Sequence, residues 1–512
     1  ITGTTVIRAI AHKPGFQSTN IDTHSYIFPE DVYGAQFSDA LTAVPTISLV
    51  TQANYDLRLM SVASTSELPS RTNERPESSQ VIVALVSGNI HVRIIDVHIR
   101  RSQETNRLEY QTVIDKSESE LTNGAEKTEL QNLLNQAPFP DTATLSPETQ
   151  REIINQAIAI SGHTPRTPFL QDNNNDYIEH KSSIEMIYPD GKPGFQEDAG
   201  MTNFGGGYTN FTKKSFRLYF REKYGAAKLK HPIFDGFEYK NTPPTDEFDA
   251  INLRSGSHDM SRRGGYMASR FVDDTMLEMG QIAPHGRFVH VYLNGQYWGQ
   301  YHLRERWDAE MASNYFGGKK EDYDAISANN NGSEFQNGSS YDGNADFWNE
   351  TRSLISGPDP FLNASKHIDI ANVIDFMLLW TSGECESEFR SFGSRSQEVP
   401  FKFMIRDPDG FLPRGGWSSS HPVTHNGPLR AMTELRTGGN PDYNILLADR
   451  IHKHYFNNGA MTAEASTERL RKRFEEMRPG FAAEARRWNF LTIGSWESYV
   501  NSWLNTQLPR RS

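Results

Sequence analysis

A single cysteine, Cys385, stands in 512 residues, so neither an intramolecular disulfide framework nor a Cys-x-x-Cys metal site can form. Such a cysteine is more often a small buried hydrophobe than a nucleophile, and it leaves the redox compartment open. No run of about 18 apolar residues occurs, which leaves no candidate transmembrane segment. The net charge of −12 excludes a general basic surface for coating nucleic acid. An initiator methionine, a basic leader and its apolar core are also missing. The chain opens ITGTTVIRAIAHKPGFQST, which reads as the middle of a domain and so as a fragment or a processed chain.

What is present suits a globular protein of two to four domains. Aromatics at 11% and charged residues at 23% supply both cores and polar surface. At the start, TTVIRAIA alternates in period two, KPGFQST is a turn and HSYIF is a second strand, which predicts a small β-sandwich piece. AVPTISLV follows, and then aromatics thin out to about residue 170. In that region VIVALVSGNIHVRIIDVHIR reads as two strands joined at Ser87-Gly88-Asn89. LSPETQREIINQAIAISG reads as a helix capped by Ser146, with Pro147 first and Gly162 as its stop. From about 177 the texture is again aromatic and strand-rich. Beyond the polar loop NNNGSEFQNGSSYDGN, helical patterns dominate: HIDIANVIDFMLLWTSG, ILLADRIHKHYF and ERLRKRFEEM. A strand-rich half followed by a helix-rich half predicts a two-lobed α+β unit with a cleft between the lobes.

Four stretches carry residue types that chemistry needs. FGGGYTNFTKKSFRLYFREKYGAAKLKH places three glycines before Tyr208 and Thr209, then Lys213 and Lys214, with seven Lys or Arg and one acid between 213 and 230. A glycine turn lets backbone N–H groups approach phosphate oxygens that a following lysine or arginine neutralises. The alternative is a hairpin with a solvated basic face. HGRFVHVYLNGQYWGQYHLRERWD is a hairpin turning at Asn294-Gly295, with Glu305 beside arginines on its tail. FKFMIRDPDGFL sets Asp407 and Asp409 at i and i+2 where a strand ends, as a hard cation requires if phosphates supply its other ligands; a plain DPDG turn has the same letters. GECESEFRSFG, between a buried helix and that acidic strand end, reads as a loop carrying Glu384, Glu386 and Glu388.

Taken in order, SSIEMIYPDGKPGFQEDAGM, GGGYTNFTKKSFRLYFREKYGAAKLKHPIF, INLRSG, HGRFVHVYLNGQYWGQYHLRERWD with FGGKKEDYDAI, and LLADRIHKHYFNNGAMT followed by AAEARRW resemble the spore coat protein H family, the CotH kinases, in its large secreted form. The resemblance covers roughly residues 180 to 512. VIRAIAHKPGFQS is similar to the C-terminal part of the chitobiase/hexosaminidase C-terminal β-sandwich module, over about 28 residues.

The resemblance implies an atypical protein-kinase-like fold that binds ATP with Mg²⁺ or Mn²⁺ and phosphorylates Ser or Thr of partner proteins. It implies a partial β-sandwich over 1–40, a strand-rich lobe over 41–54 and 176–330, an inserted subdomain over 55–175 and a helical lobe over 331–512. Thr209, Lys214 and Arg217 would meet the phosphates, and Glu305 matches the glutamate of a YxLxE element, a partner for a basic residue. RDPD stands for the family's WDxD or WDxE, giving Asp407 as metal ligand and Asp409 as a weaker one. GECESEFRSFG stands for a GNxDxxxNN-like loop. Glu386 replaces its Asp, one methylene longer, and Arg390-Ser391 replace its two Asn, so that Arg390 puts a cation where a metal-binding amide is expected. Active kinase, altered phosphotransferase and degenerate pseudokinase acting as an extracellular scaffold all remain open. An extracellular or cell-surface place, and a protein substrate or assembly partner, follow from the resemblance alone.

Overall fold

The computed structural model describes residues 1, 3–13, 22–51, 179–204, 213–239, 242–260, 265–328, 339–355, 357–383, 389–396, 398–413, 438–488 and 490–511, together with the strand backbone of 62–64, 79–86, 90–101, 108–116 and 163–165. The expected turn KPGFQST falls almost wholly outside these residues, as do the helix from Ser146, the loop centred on NNNGSEFQNG, Cys385 and the carboxylates Glu384, Glu386 and Glu388. Two compact units result: residues 1–217 with 223–225 and 290–299, and residues 218–222, 226–289 and 300–512.

In the first unit β1 (Thr5–Ala9) and β2 (Asp22–Tyr26) form an antiparallel pair with Thr5 opposite Tyr26. Two single-turn helices, α1 (Glu30–Tyr33) and α2 (Ser38–Leu41), lead to β3 (Thr46–Thr51). Every residue of β3 is buried, so the strand reads as a continuous apolar-and-small run rather than an alternation. β4 (Val62–Ser64) pairs with β8 (His163–Pro165), and β5 (Ser79–Val86), β6 (Ile90–Arg101) and β7 (Leu108–Lys116) make an antiparallel sheet. Val86 faces Ile90 across Ser87-Gly88-Asn89, where the sequence places that hairpin. β9 (His180–Ile187) lies antiparallel to β3 on one side and to β10 (Phe195–Phe204) on the other. Ile47, Leu49, Ile184, Met186, Ala199 and Met201 fill the core between them. β11 (Ser215–Tyr219) begins in this unit.

The second unit pairs the short strands β12 (Leu229–Lys230) and β13 (Glu247–Phe248). β14 (Ala250–Arg254) leads to α3 (Ala268–Glu278) and to the hairpin β15 (Gly286–Leu293) and β16 (Gln296–Glu305). Asn294 and Gly295 turn the hairpin at φ 50° and 80°, the two left-handed positions that an Asn-Gly type I′ turn needs. The hairpin's tip belongs to the first unit, where His290 to Leu293 pair in parallel with Thr46 to Leu49. In the second unit its stem pairs with β14, Ile251 opposite Glu305.

α4 (Ala309–Phe316) is followed by β17 (Tyr323–Ala328) and β18 (Ser339–Asp342), then by α5 (Asp346–Ile355), α6 (Pro360–Ala364) and α7 (Ile370–Trp380). β19 (Phe389–Ser394) and β20 (Lys402–Ile405) complete a four-stranded sheet in the order β18-β17-β19-β20. The second half of GECESEFRSFG is thus a strand and not a loop. Phe389 and Ser391 to Ser394 are buried, and burial on both faces removes the alternation by which a strand is recognised. The chain closes with α8 (Pro441–Tyr455), α9 (Ala463–Met477), α10 (Phe481–Trp488) and α11 (Ile493–Ser502). The molecule mixes helices and sheets as an α+β fold does.

Helices of the second unit cap strand backbone with acids. Glu476 of α9 accepts the N–H of Phe288 and Glu484 of α10 that of Gln300, each at 2.7 Å. Beneath them Asp274 of α3 lies between Arg270 at 2.9 Å and Arg473 of α9 at 2.6 Å. Burial opposes that charge, but the two guanidiniums outweigh it and hold the Asp274 carboxyl well below the usual carboxylate range.

Candidate active site

The strand end that the sequence singles out forms one corner of the second unit. Past β20 the chain turns at Asp407, which adopts the left-handed conformation with φ 49°. Aspartate tolerates that region better than most residues, yet at a cost of about 1 kcal/mol. Pro408 then opens a short 3₁₀ turn that carries Asp409 inward. The two carboxylates part company here. Asp407 is exposed, whereas Asp409 is 4% exposed and accepts from Arg254 Nη2 at 2.5 Å.

Arg254, the last residue of β14, is the organiser that sequence reading missed. Burial alone would lower its pKa, but the carboxylates of Asp409, Asp407 and Asp259 outweigh this and raise it. Asp259 is 0% exposed; its Oδ2 accepts the N–H of Ala268 at 2.8 Å and so caps the start of α3. Its carboxyl is pushed well above its ordinary value by burial and then by Asp409. Arg304, on β16, also senses Asp407, although burial is the largest influence on it. The signal for Arg254 was an arginine closing the apolar strand AINLR, where a charge demands a buried partner.

Glu305 ends β16 and is 2% exposed. Its Oε2 accepts the backbone N–H of His285 at 2.6 Å and lies 3.1 Å from His285 Nδ1, while its Oε1 accepts from Tyr315 Oη at 2.7 Å. His285 Nε2 donates to the carbonyl of Thr242 at 2.7 Å, and the Tyr315 ring stacks on the imidazole at 6.0 Å. The side chains that Glu305 meets are His285 and Tyr315, and the network ties β16 to α4.

Lys214 and Arg217 belong to the first unit. Lys214 is 4% exposed, and Arg217 is half-buried with its guanidinium 4.8 Å from the Phe204 ring centre. Thr209 and Glu386 lie outside the described residues. Of the two aspartates only Asp409 bonds Arg254, which also feels the charge of the exposed Asp407, and Glu305 sits in its own network. Among the described residues no three His, Cys, Asp or Glu side chains gather as a metal site, and no helix is long and apolar enough to cross a membrane.

Residues 202–381 match the family model described as CotH kinase protein. Over that stretch the chain is similar to CotH kinase proteins. No curated protein matches the chain. The CotH match takes in Lys214, Arg217 and Glu305 and ends at Thr381, ahead of Glu386, Asp407 and Asp409. It therefore supports a kinase-like function through β11, the β15–β16 hairpin and α4 to α7, and leaves the acidic strand end to its own geometry.

Proposed function

We propose that the chain is a CotH-type atypical protein kinase that transfers the γ-phosphate of ATP to Ser or Thr hydroxyls of partner proteins at the cell surface or outside the cell. The observation that carries this reading is Asp407. It is an exposed carboxylate held in an unfavourable backbone conformation two residues past the end of β20, C-terminal to the CotH match. Strain of that kind is retained where a side chain must point at something other than the protein.

A divalent ion fits such a donor set in one way only. Mg²⁺ and Mn²⁺ take one or two carboxylates and complete their shells with phosphate oxygens and water; Asp407 would be the protein's ligand, and Asp409 is already neutralised by Arg254. The ion's contribution would be to neutralise phosphate charge. Lys214 and Arg217 would add cations for the nucleotide's phosphates. Glu386 would orient the acceptor hydroxyl and take its proton as the new O–P bond forms and the bond from the γ-phosphorus to the β,γ-bridging oxygen breaks, releasing ADP.

A second reading, a catalytically degenerate pseudokinase serving as an extracellular scaffold, is favoured by the burial of Lys214 and by the Arg254–Asp409 pair. ATP labelled at the γ-phosphate, incubated with Mn²⁺ and a Ser/Thr peptide library, separates the two. The kinase reading expects label on peptide that falls at least about 10²-fold in Glu386→Gln, as loss of a positioned acid–base group does. Labelling unchanged in that variant removes Glu386 from the site, and labelling absent from the folded wild type favours the scaffold.

A further inference from the structure

Within the second unit a narrow cavity opens where α3, α7 and the first turns of α9 meet. It holds about 310 Å³ of atom-free space, its mouth included, at the low end of the range for small-molecule pockets. Phe271, Leu379, Phe411 and Met461 supply apolar wall, and Arg469 of α9 is the one charged side chain among the described residues that line it. All five are buried. Phe411 closes the turn that begins at Pro408, so the cavity lies behind the acidic strand end. Among the described residues its lining includes neither Asp407 nor Asp409.

Arg469 is a buried cation whose acceptors are all neutral. Its Nε donates to Thr275 Oγ1 at 2.9 Å, and its Nη2 to the Ala460 carbonyl at 2.8 Å and to Ser466 Oγ at 3.4 Å. Nη1 reaches only the Ala465 carbonyl, at 3.4 Å, so among the described residues one of the five N–H groups of the guanidinium is left over. The Phe271 ring, 5.3 Å away, carries no net charge. Nearby acids are engaged elsewhere: Asp274 lies between Arg270 and Arg473, and Glu278 is exposed. Burial pushes the Arg469 pKa down, and Tyr239, Asp274 and Glu278 offset only part of this. A buried charge so placed is costly unless an opposite charge reaches it. The backbone adds to the same field, because Ala463 and Ser466 border the cavity from the N-terminal end of α9, where free N–H groups favour an anion.

We propose that this cavity binds a small organic monocarboxylate with an unbranched apolar tail, its carboxylate on Arg469 and its tail along Phe271, Leu379, Phe411 and Met461. A guanidinium fork matches a carboxylate, and one lining cation balances one negative charge, which sets a carboxylate apart from a phosphate dianion. The apolar wall calls for a tail that inorganic anions lack, and the narrow shape calls for one without branches. This site is independent of the phosphotransfer reading.

The test titrates the full chain calorimetrically with acetate, butanoate, hexanoate and hexanol, beside Arg469→Gln. Saturable binding of hexanoate at one site is expected, with affinity rising about fourfold per methylene from butanoate to hexanoate. Hexanol, which has the tail without the charge, should bind at least about tenfold more weakly, and Arg469→Gln should bind hexanoate no better than hexanol. Hexanol binding as tightly as hexanoate overturns the proposal, since the cavity would then be merely apolar. Acetate binding as tightly as hexanoate overturns it too, since the wall would then hold no tail, and so does the absence of hexanoate binding. A crystal of the wild type grown with 6-bromohexanoate decides the place even where Arg469→Gln does not fold. An anomalous bromine peak against Phe271, Phe411 or Met461 is expected, and a peak elsewhere, or none, overturns the assignment.

Discussion

Asp407 and Asp409 show how two identical side chains two residues apart acquire different work. The left-handed turn exposes the first, and Pro408 drives the second into contact with Arg254. The RDPD letters revealed an acidic strand end, because aspartates and proline at a turn have local causes. They did not reveal the division of labour, since that depends on an arginine 155 positions away in sequence. Glu305 was legible only as a carboxylate at the end of a hairpin strand, whereas its contacts with His285 and Tyr315 were fixed by the closing of the β15–β16 stem and the packing of α4. The strain at Asp407 makes a prediction of opposite signs. Asp407→Gly relieves the unfavourable φ and stabilises the fold by up to about 1 kcal/mol in thermal or urea unfolding, while abolishing nucleotide-linked activity. A destabilised glycine variant would mean that the Asp407 carboxylate serves the fold instead.

Elements with local signals were the readable ones. Asn294-Gly295 announced the hairpin, Asp369 and Thr462 cap α7 and α9 by accepting from the third residue on, and Ser87-Gly88-Asn89 joined β5 to β6. α3 was harder to read: Arg270, Asp273 and Asp274 stand at helical spacing, but all ten residues from Ala268 to Leu277 are buried, so that polar stripe faces the interior instead of solvent. α4 brings its own electrostatic consequence. Asp308 caps it by accepting the N–H of Met311 at 3.0 Å and pairs with Arg306 at 3.2 Å. Burial nonetheless pushes its carboxyl up to about 7, with Asp249 and Asp342 adding to Arg306's incomplete compensation. The folded state therefore holds this proton more tightly than the unfolded chain, whose aspartates titrate near about 3.9. The stability it lends is full below that value and is lost as the pH rises through about 7. Asp308→Asn keeps the cap and removes the titration. Melting followed from pH 4 to pH 8 should show wild type losing stability relative to the variant, and parallel curves would refute the assignment.

At the scale of the whole molecule, the residues singled out by the resemblance divide between the two compact units. Lys214 and Arg217 belong to the first, Asp407, Asp409 and Glu305 to the second, and the CotH match runs through both. Mixed composition and the order of strand-rich and helix-rich texture made the α+β class readable. The four-stranded sheet inside the helical half was not, because buried strands such as Phe389–Ser394 lose their alternation. The central claim is that Asp407 holds a metal–nucleotide complex, and calorimetric titration of ATP with Mn²⁺ into the wild type and into Asp407→Ala tests it most directly. Metal-dependent binding in the wild type that weakens at least about tenfold in the variant, as loss of a charged ligand entails, is the predicted result. Equal binding by both proteins, or none by the folded wild type, would contradict the account.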